Sequence, residues 1–343
     1  MCRHAIPPGV PAMTEPPDPR VPARRPPAVV ALGGNALLRR GEPLEAEHQA
    51  RAARVAAGQL ARVASQYRLV VTHGNGPQVG LLAMMSNAYT ETAPYPLDVL
   101  DSETEGQIGY VLELELGNAI PGQETVVVLT RVVVDPRDPA FAAPSKFIGP
   151  VYSESKARWL AERYGWTVRP DGQDWRRVVP SPEPLRIVQL HAIERLVENG
   201  FLVVCTGGGG IPVVEEGAGH QRGVEAVIDK DLASAMLAGD LGAEALVLAT
   251  DVDAVYDRYG TSAQRSIVQA TPDGLRTHEF AAGSMGPKVE AVCRFVERTG
   301  ARAAIGSLDE IDDLLDGHAG TQVVPDGPAI TYGERKARDD RAA

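Results

Sequence analysis

The sequence predicts an α/β fold with a mainly parallel central sheet. Three runs of apolar, β-branched residues stop abruptly at glycines, as buried strands do when they end in loops without side-chain bulk; they span residues 29–35, 70–77 and 203–210. Stretches with apolar residues at helical spacing separate these runs, which gives the strand-loop-helix-strand order of a parallel sheet. The chain of 343 residues is 44% hydrophobic but only 5% aromatic, a composition typical of helices packed closely on such a sheet.

Each element in the first part of the chain follows from the same two patterns, apolar runs for strands and helical spacing for helices. In chain order we predict a strand at 29–32, a helix over 48–65, a strand at 69–72, a helix that runs through Met84, a helix over 106–118 and a strand over 125–134.

The pattern changes between residues 135 and 184, where prolines, aromatic residues and mixed charge replace the apolar runs. We interpret this segment as an inserted flap or subdomain rather than as part of the central sheet. The α/β alternation then resumes, so two halves joined near 180–184 are expected. The second half comprises a helix ending near 199–200, a strand that enters Gly207, a helix over 231–238, a strand at 245–249, a helix over 288–298 and strands near Ala303 and Gln322.

The composition excludes several classes of function. A formal charge of -11 argues against a broad surface for nucleic acid or anionic membrane, and no segment approaches a membrane span. The three cysteines have neither disulfide nor zinc spacing, which favours a reducing cytoplasm. Residues 1–27 are rich in proline and arginine and lack the apolar core of a secretory signal, so a disordered extension is expected there, and a flexible tail at 331–343.

The three glycine turns predict local binding of anions. Glycine loops expose backbone N–H groups at close range, and the N-terminus of a following helix adds its dipole. Three such loops suggest a chain of phosphates or a phosphoryl group in transit. No GxxxxGK[ST], HExxH or GxSxG motif is present, which excludes a P-loop and leaves metalloprotease and α/β-hydrolase functions without support.

Two segments place lysines at the start of predicted helices. Lys288 follows a Gly-Ser-Met-Gly-Pro sequence, and Pro287 is expected at the first helical position. A cation there opposes the helix dipole, which is easier to understand if an anion sits beside it; a solvated surface lysine is the alternative. Lys230 lies between Asp229 and Asp231, where the carboxylates would keep a lysine charged and aimed, although aspartate at a helix start is ordinarily only a cap.

Other polar residues near the turns have competing interpretations. His73 is more often a structural histidine than a base, and Cys205 is expected to be a core thiol. Asp251 and Asp253 end a strand at the edge where ligands bind, but turn-forming aspartates are equally consistent.

Five motifs follow one another along the chain: ALGGNAL at 31–37, THGNGPQVG at 72–80, GGGGIPV at 207–213, GVEAVIDKDLA at 223–233 and AAGSMGPKV at 281–289. Together they resemble the carbamate kinases, within the amino-acid kinase superfamily, and the likeness extends from about residue 28 to 325. The resemblance implies an open αβα sandwich of the amino-acid kinase type. It implies an N-terminal lobe over 28–183 that binds carbamate or carbamoyl phosphate, a protruding subdomain at about 135–180, and a nucleotide-binding lobe over 184–330.

The reaction implied by this resemblance is reversible phosphoryl transfer from carbamoyl phosphate to ADP, giving ATP and carbamate, with Mg²⁺ held mainly by the nucleotide and no metal-binding residue assigned. A cytoplasmic homodimer acting in arginine metabolism is implied as well. Three groups of site residues carry over: catalytic Lys146, Lys230, Asp231 and Lys288; substrate-binding Gly33, Gly34, Asn35, Gly74, Asn75 and Gly76; and nucleotide-binding Gly207, Gly208, Gly209, Asp251, Val252, Tyr256, Met285 and Gly286.

Two departures and two alternatives accompany the resemblance. Glu105 stands where the family more often has a neutral polar residue, and residues 257–263 lack a lysine common after Gly260. The alternatives are a superfamily kinase for another small acid or phosphate, and a nucleotide sensor without turnover. The Lys146 segment argues against the first, and the retained lysines argue against the second.

Overall fold

The computed structural model of the protein describes residues 25–34, 43, 45–89, 91–281 and 284–333. The predicted disordered extension therefore lies outside the described residues except at 25–27, and the predicted tail except at 331–333. Pro27 and residues 331–333 nevertheless belong to strands, namely Pro27–Leu32 and Ile330–Gly333.

The described chain forms seventeen strands. They are β1 (Pro27–Leu32), β2 (Arg68–His73), β3 (Thr125–Val128), β4 (Arg131–Val133), β5 (Lys146–Tyr152), β6 (Thr167–Asp171), β7 (Asp174–Val179), β8 (Arg186–Ile187), β9 (Leu202–Cys205), β10 (Ile211–Glu215), β11 (Gln221–Gly223), β12 (Ala245–Thr250), β13 (Val255–Asp257), β14 (Arg265–Ala270), β15 (Arg302–Ser307), β16 (Thr321–Val323) and β17 (Ile330–Gly333).

Nine α-helices connect these strands within the described residues. They are α1 (Ala46–Val63), α2 (Gly76–Ala88), α3 (Leu97–Ala119), α4 (Glu154–Tyr164), α5 (Leu190–Glu198), α6 (Lys230–Asp240), α7 (Pro272–Arg276), α8 (Met285–Thr299) and α9 (Ile311–Asp316). None of the described helices is both long and apolar enough to cross a bilayer.

A ten-stranded sheet forms the centre of the molecule, in the order β13-β14-β16-β15-β12-β1-β2-β9-β3, with β17 beside β14. All pairs from β15 to β3 are parallel, as the alternation of strands and helices predicts. Antiparallel pairs occur only toward the other end, for example β15 with β16. The mainly parallel sheet is therefore confirmed.

Strand β1 shows why the sheet is covered on both faces. Val29 and Ala31 pack into one apolar core together with Phe295 of α8, whereas Val30 and Leu32 pack into a second core. The second core includes Leu60 of α1. Because successive side chains of a strand point to opposite faces, an all-apolar strand needs helices on each side. The observed architecture is the αβα sandwich that the family resemblance implies.

Two smaller sheets lie outside the central one. Strands β5, β7 and β6 form an antiparallel sheet within the irregular segment that the sequence separates from the core. A four-stranded sheet has the order β11-β10-β4-β8. Strand β9, which the boundary at residue 184 assigns to the second lobe, lies between β2 and β3 of the first. The division into two lobes stays a prediction.

Three predicted boundaries are wrong. Helix α3 begins at Leu97 rather than at 106, because its first turns bury Leu100 and also several polar residues that hide the apolar spacing. The strand expected over 125–134 divides into β3 and β4, which belong to different sheets. Helix α8 begins at Met285, so Pro287 is its third residue and not its first. Proline is tolerated there because the first turn's N–H groups have no partner within the helix.

Candidate active site

Four parallel strands bring the glycine loops to one edge of the sheet. Strands β12, β1, β2 and β9 are neighbours in that order, and their carboxyl ends carry the loops at Asp251, Gly33, Gly74 and Gly207. The loops after β1 and β2 nearly touch, because a Cβ atom on Gly74 would lie 2.9 Å from the Gly34 nitrogen. Ligands of open parallel sheets bind at this edge.

The loop after β9 depends on its glycines for its shape. Gly208 has φ 67° and Gly209 has φ 102°, values that side chains with a Cβ rarely adopt. Space is also lacking, since a Cβ on Gly209 would lie 2.6 Å from the Ile228 carbonyl oxygen. Thr206, which precedes the loop, itself has φ 54° and is therefore strained.

Helix α6 carries the most charged part of the site. Its N-cap is Asp229, whose Oδ1 accepts hydrogen bonds from the backbone N–H of Asp231 at 2.9 Å and of Leu232 at 3.3 Å. The cap fixes the first turn and thereby the direction of Lys230 and Asp231. Asp229, the first of the two aspartates, therefore has the capping role that the sequence predicts for an aspartate at a helix start.

Asp231 is the centre of a buried three-residue cluster. Its Oδ2 accepts a hydrogen bond from Lys288 Nζ at 2.9 Å, and its Oδ1 lies 2.6 Å from Lys230 Nζ. The side chains of Lys230, Lys288 and Asp231 are only 9%, 15% and 5% exposed. Apart from this close ion pair with Asp231, the buried Lys230 ammonium group has no hydrogen-bond partner among the described residues. Its other N–H donors remain available to an anion.

The charges within the cluster set its protonation. Burial lowers the pKa of Lys230 below its ordinary value, although the neighbouring carboxylate opposes this. Burial would also lower the pKa of Lys288, but the charge and hydrogen bond of Asp231 raise it above the ordinary value. Burial would raise the pKa of Asp231, yet the two ammonium groups outweigh it and hold that pKa below its usual range. Asp231 is therefore ionised at neutral pH.

Lys146 reaches this cluster from the smaller antiparallel sheet. It is the first residue of β5, and its Nζ lies 2.5 Å from Oδ2 of Asp229. One carboxylate oxygen of Asp229 therefore binds Lys146 of the flap, while the other caps the N-terminus of α6. Strand β5 also touches α2 where Gly149 meets Gly80. The structure thus brings all four residues predicted as catalytic to one place.

The residues predicted to bind the acceptor surround the start of α2. Gly33 and Gly34 follow β1, Gly74 follows β2, and α2 begins at Gly76 with Asn75 as its N-cap. Asn35, the remaining member of this group, lies outside the described residues. The Asn75 side chain makes no capping hydrogen bond to this helix. That N-terminus is a favourable place for a phosphate.

The residues predicted to bind the nucleotide lie around the ends of β9 and β12 and the start of α8. Thr250 donates a hydrogen bond to Asp251 Oδ1 at 3.1 Å, and Tyr256 donates one to Asp253 Oδ1 at 2.8 Å. Met285 is the first residue of α8, followed by Gly286. Val252 lies in the loop between β12 and β13, and Gly207, Gly208 and Gly209 form the turn after β9.

Sequence reasoning missed a polar cluster on α3. Asp101 and Thr104 bind the side chain of Asn75, and Glu105 Oε2 accepts a hydrogen bond from the Thr130 N–H at 2.8 Å. Burial raises the pKa of both Asp101 and Glu105 well above the ordinary carboxyl value. The sequence indicates Glu105 only as a departure from the neutral polar residue that the family more often has at this position. The proximity of Asp101 to the glycine loops has no signal in the local sequence.

Two residues behave as the sequence predicts. Cys205 is a buried free thiol whose pKa burial raises to about 12, which is consistent with a core residue. His73 is 1% exposed, and burial lowers its pKa to about 4, so the ring is neutral at physiological pH. Neither has the character of an activated catalytic group.

Comparison with known proteins agrees with this geometry. The model of the amino acid kinase family matches residues 26–307. A carbamate kinase of Rhizobium meliloti is 51% identical over 308 residues, covering 89% of this chain and 95% of that protein. A carbamate kinase of Escherichia coli K12 is 52% identical over 293 residues, covering 85% of this chain and 97% of that protein. The solved structure of a carbamate kinase from Giardia lamblia bound to AMP-PNP has 38% identity and a TM-score of 0.79, covering 87% of this chain and 98% of that one. The chain therefore belongs to the amino acid kinase family and, within it, to the carbamate kinases.

Proposed function

We propose that this chain catalyses reversible phosphoryl transfer between carbamoyl phosphate and ADP, giving carbamate and ATP. The observation that carries the proposal is the buried cluster of Lys230, Asp231 and Lys288 beside the glycine loops. It combines two cations with the N-termini of helices α6 and α8. This arrangement suits a phosphoryl group whose oxygens carry negative charge.

The proposed chemistry is mainly positioning and charge neutralisation. Carbamate is already an anion at its attacking oxygen, so no general base is required. Lys230 and Lys288 would contact the oxygens of the transferring phosphoryl group as its bond to one oxygen forms and its bond to the other breaks. Asp231 would keep both lysines charged and aimed. Holding the two reactants in line supplies much of the rate enhancement in such reactions.

The two substrates would approach from opposite sides of the cluster. The backbone N–H groups of Gly34 and Gly76 would hold the carbamoyl phosphate end. Gly33 and Gly74 would line the same space, because their own N–H groups donate to the carbonyl oxygens of Ala249 and Leu32. Asn35 is proposed for the same group from the motif alone. Lys146 would contact the substrate from the flap, in exchange for its contact with Asp229. The nucleotide would lie against the turn at 207–209 and the loops bearing Asp251, Val252, Tyr256, Met285 and Gly286.

Magnesium is proposed as the accompanying metal ion. Within the described residues no group of three or more His, Cys, Asp or Glu side chains could form a metal cage. A site without a cage fits Mg²⁺, which commonly binds substrate phosphates and keeps several waters. When bound, the ion would neutralise phosphate charge; the protein residues would orient the nucleotide that carries it.

Assembly, location and pathway complete the proposal. A homodimer is supported by exposed apolar side chains of Tyr110 and Leu114 on α3 and of Leu129 beside the edge strand β3, with exposures of 63%, 45% and 50%. Light scattering of the purified protein would test it. A cytoplasmic location fits the free thiols Cys205 and Cys293. Breakdown of arginine is the proposed source of carbamoyl phosphate.

The decisive experiment measures ATP formation from carbamoyl phosphate and ADP with Mg²⁺, corrected for spontaneous decay of carbamoyl phosphate. The parent is compared with Lys230→Ala, Lys288→Ala and the control Lys156→Ala, which removes an exposed lysine of the flap. We expect activity in the parent and the control and its loss in both site variants. A folded parent that binds ADP without forming ATP would overturn the proposal, and the acceptor side would then be screened with other acids.

A further inference from the structure

Asn75 occupies a helix N-cap position but does not cap the helix. An N-cap asparagine ordinarily accepts a hydrogen bond from the second or third N–H of its own helix. Here the side chain turns toward α3, where Nδ2 donates to Asp101 Oδ1 at 2.9 Å and to Thr104 Oγ1 at 2.8 Å. Both donors of the amide are therefore used within the protein.

Thr104 determines which end of this amide faces α3. A hydroxyl group has one proton, and Thr104 donates it to the backbone carbonyl oxygen of Asp101 at 2.8 Å. The Thr104 oxygen can then only accept, so Asn75 must present its NH₂ group. In the reverse orientation Asn75 Oδ1 would face Thr104 Oγ1, with no proton between the two oxygens. Asn75, Asp101 and Thr104 are 2%, 2% and 0% exposed, so water cannot relieve such a mismatch.

The fixed orientation leaves Asn75 Oδ1 as the remaining polar atom. Within the described part of the chain this oxygen makes no hydrogen bond. The whole amide group packs against the glycine turn after β9, since a Cβ on Gly208 would lie 2.5 Å from its Cγ and 2.6 Å from Oδ1, and would meet Nδ2 as well. Oδ1 is thus held between the loops that follow β2 and β9, where the two substrates are proposed to meet.

The chemistry of the substrate supplies a matching donor. Carbamoyl phosphate and carbamate each carry an amino group, which donates hydrogen bonds and has no counterpart in an acyl phosphate such as acetyl phosphate. A site built to accept a hydrogen bond from a substrate N–H discriminates against the analogue that lacks it, because the acceptor is left unpaired.

We propose that Asn75 Oδ1 accepts a hydrogen bond from the amino group of the substrate and that Thr104 and Asp101 are positioning residues that hold the amide in this orientation. This inference rests on the proposed function and identifies what selects carbamoyl phosphate at the same site. Asn75 contacts the substrate; Thr104 and Asp101 act through it.

The test compares carbamoyl phosphate with acetyl phosphate as phosphoryl donors to ADP. The variant Thr104→Val keeps the shape of the side chain but removes the hydroxyl, so that only Asp101 still holds the Asn75 amide in this orientation. Thr104→Ser is the matched control because it keeps the hydroxyl. Values of kcat/KM are measured for both donors in the parent and in each variant, and thermal melting confirms that each protein is folded.

We expect the ratio of kcat/KM for carbamoyl phosphate over acetyl phosphate to fall about tenfold in Thr104→Val, as for the loss of one hydrogen bond, and to remain near the parent ratio in Thr104→Ser. Equal losses for both donors would overturn the inference, because a purely structural role changes both alike. Parent protein that does not prefer carbamoyl phosphate would also overturn it, even if Thr104→Val did not fold. Parent protein without any ATP formation would instead refute the proposed function.

Discussion

The contact between Gly80 and Gly149 offers a sharp test of the flap's role. Gly80 lies in α2 and Gly149 in β5, and a Cβ added to Gly80 would lie 1.9 Å from the Gly149 Cα and 2.1 Å from its nitrogen. Ordinary contact begins at 3.4 Å, so Gly80→Ala must move β5 by about 1.5 Å. Because both groups are backbone or rigidly attached to it, rotation of a side chain cannot absorb the change.

The displacement acts on Lys146, three residues away on the same strand. A shift of about 1 Å in a positioning group can cost about 100-fold in rate. We therefore expect Gly80→Ala to lower kcat/KM for carbamoyl phosphate about 100-fold and the free energy of unfolding by about 1–3 kcal/mol, while ADP affinity stays within about twofold of the parent. Initial rates of ATP formation, urea titration and calorimetry of ADP binding measure the three quantities.

Gly58→Ala is the matched control for this prediction. Gly58 is exposed in the middle of α1, and no atom lies within 4 Å of the added methyl group. Alanine is the better helix former, so this variant should gain up to about 1 kcal/mol and keep the parent rate. The reasoning is refuted if Gly80→Ala, folded and binding ADP, keeps the parent kcat/KM.

Three further predictions concern buried ionisable groups, and each is tested by measuring the free energy of unfolding in urea. Asp231→Asn should lower the free energy of unfolding by about 3–5 kcal/mol, because it leaves two buried ammonium groups without their carboxylate. The control Asp240→Asn, at the partly exposed end of α6, should lower it by less than about 1 kcal/mol. Similar losses in the two variants would contradict this explanation. The pKa of His73 is lowered to about 4, so its contribution to stability should fall by about 3 kcal/mol as the pH falls from 6.5 to 4. His73→Gln should show a correspondingly flatter profile, and a slope equal to that of the parent would contradict the prediction. The pKa of Glu105 is raised above its ordinary value, so the parent should lose stability as the pH rises above that value. Glu105→Gln should lose less, because only Asp101 still contributes, and parallel profiles would exclude Glu105 as a cause.

The sequence predicts the central sheet well because its strands are buried on both faces. Residues 28–32 are all apolar, and each one is fully buried in the structure. A continuous apolar run of that length has few other places in a folded protein. The glycines that end such strands therefore locate the site from local sequence alone.

The sequence predicts α3 less well because its first turns bury polar residues. Asp101, Thr104 and Glu105 face the glycine loops rather than water, so the usual alternation of apolar and polar residues is absent. Their partners, Asn75 and Thr130, are about 25 residues away along the chain. Contacts over such separations depend on the packing of complete elements, which local periodicity does not encode.

The position of β9 has a consequence for synthesis of the chain on the ribosome. Among the described strands β3 pairs only with β9, and β9 also covers the open side of β2. Residues 125–128 must therefore wait for residues 202–205 to emerge before they gain any hydrogen-bonded neighbour. A nascent chain ending near residue 183 would leave β3 without a partner and one edge each of β1 and β2 unpaired, the kind of surface that promotes aggregation. The first half of this enzyme cannot complete its sheet during translation until a strand from the second half has been made.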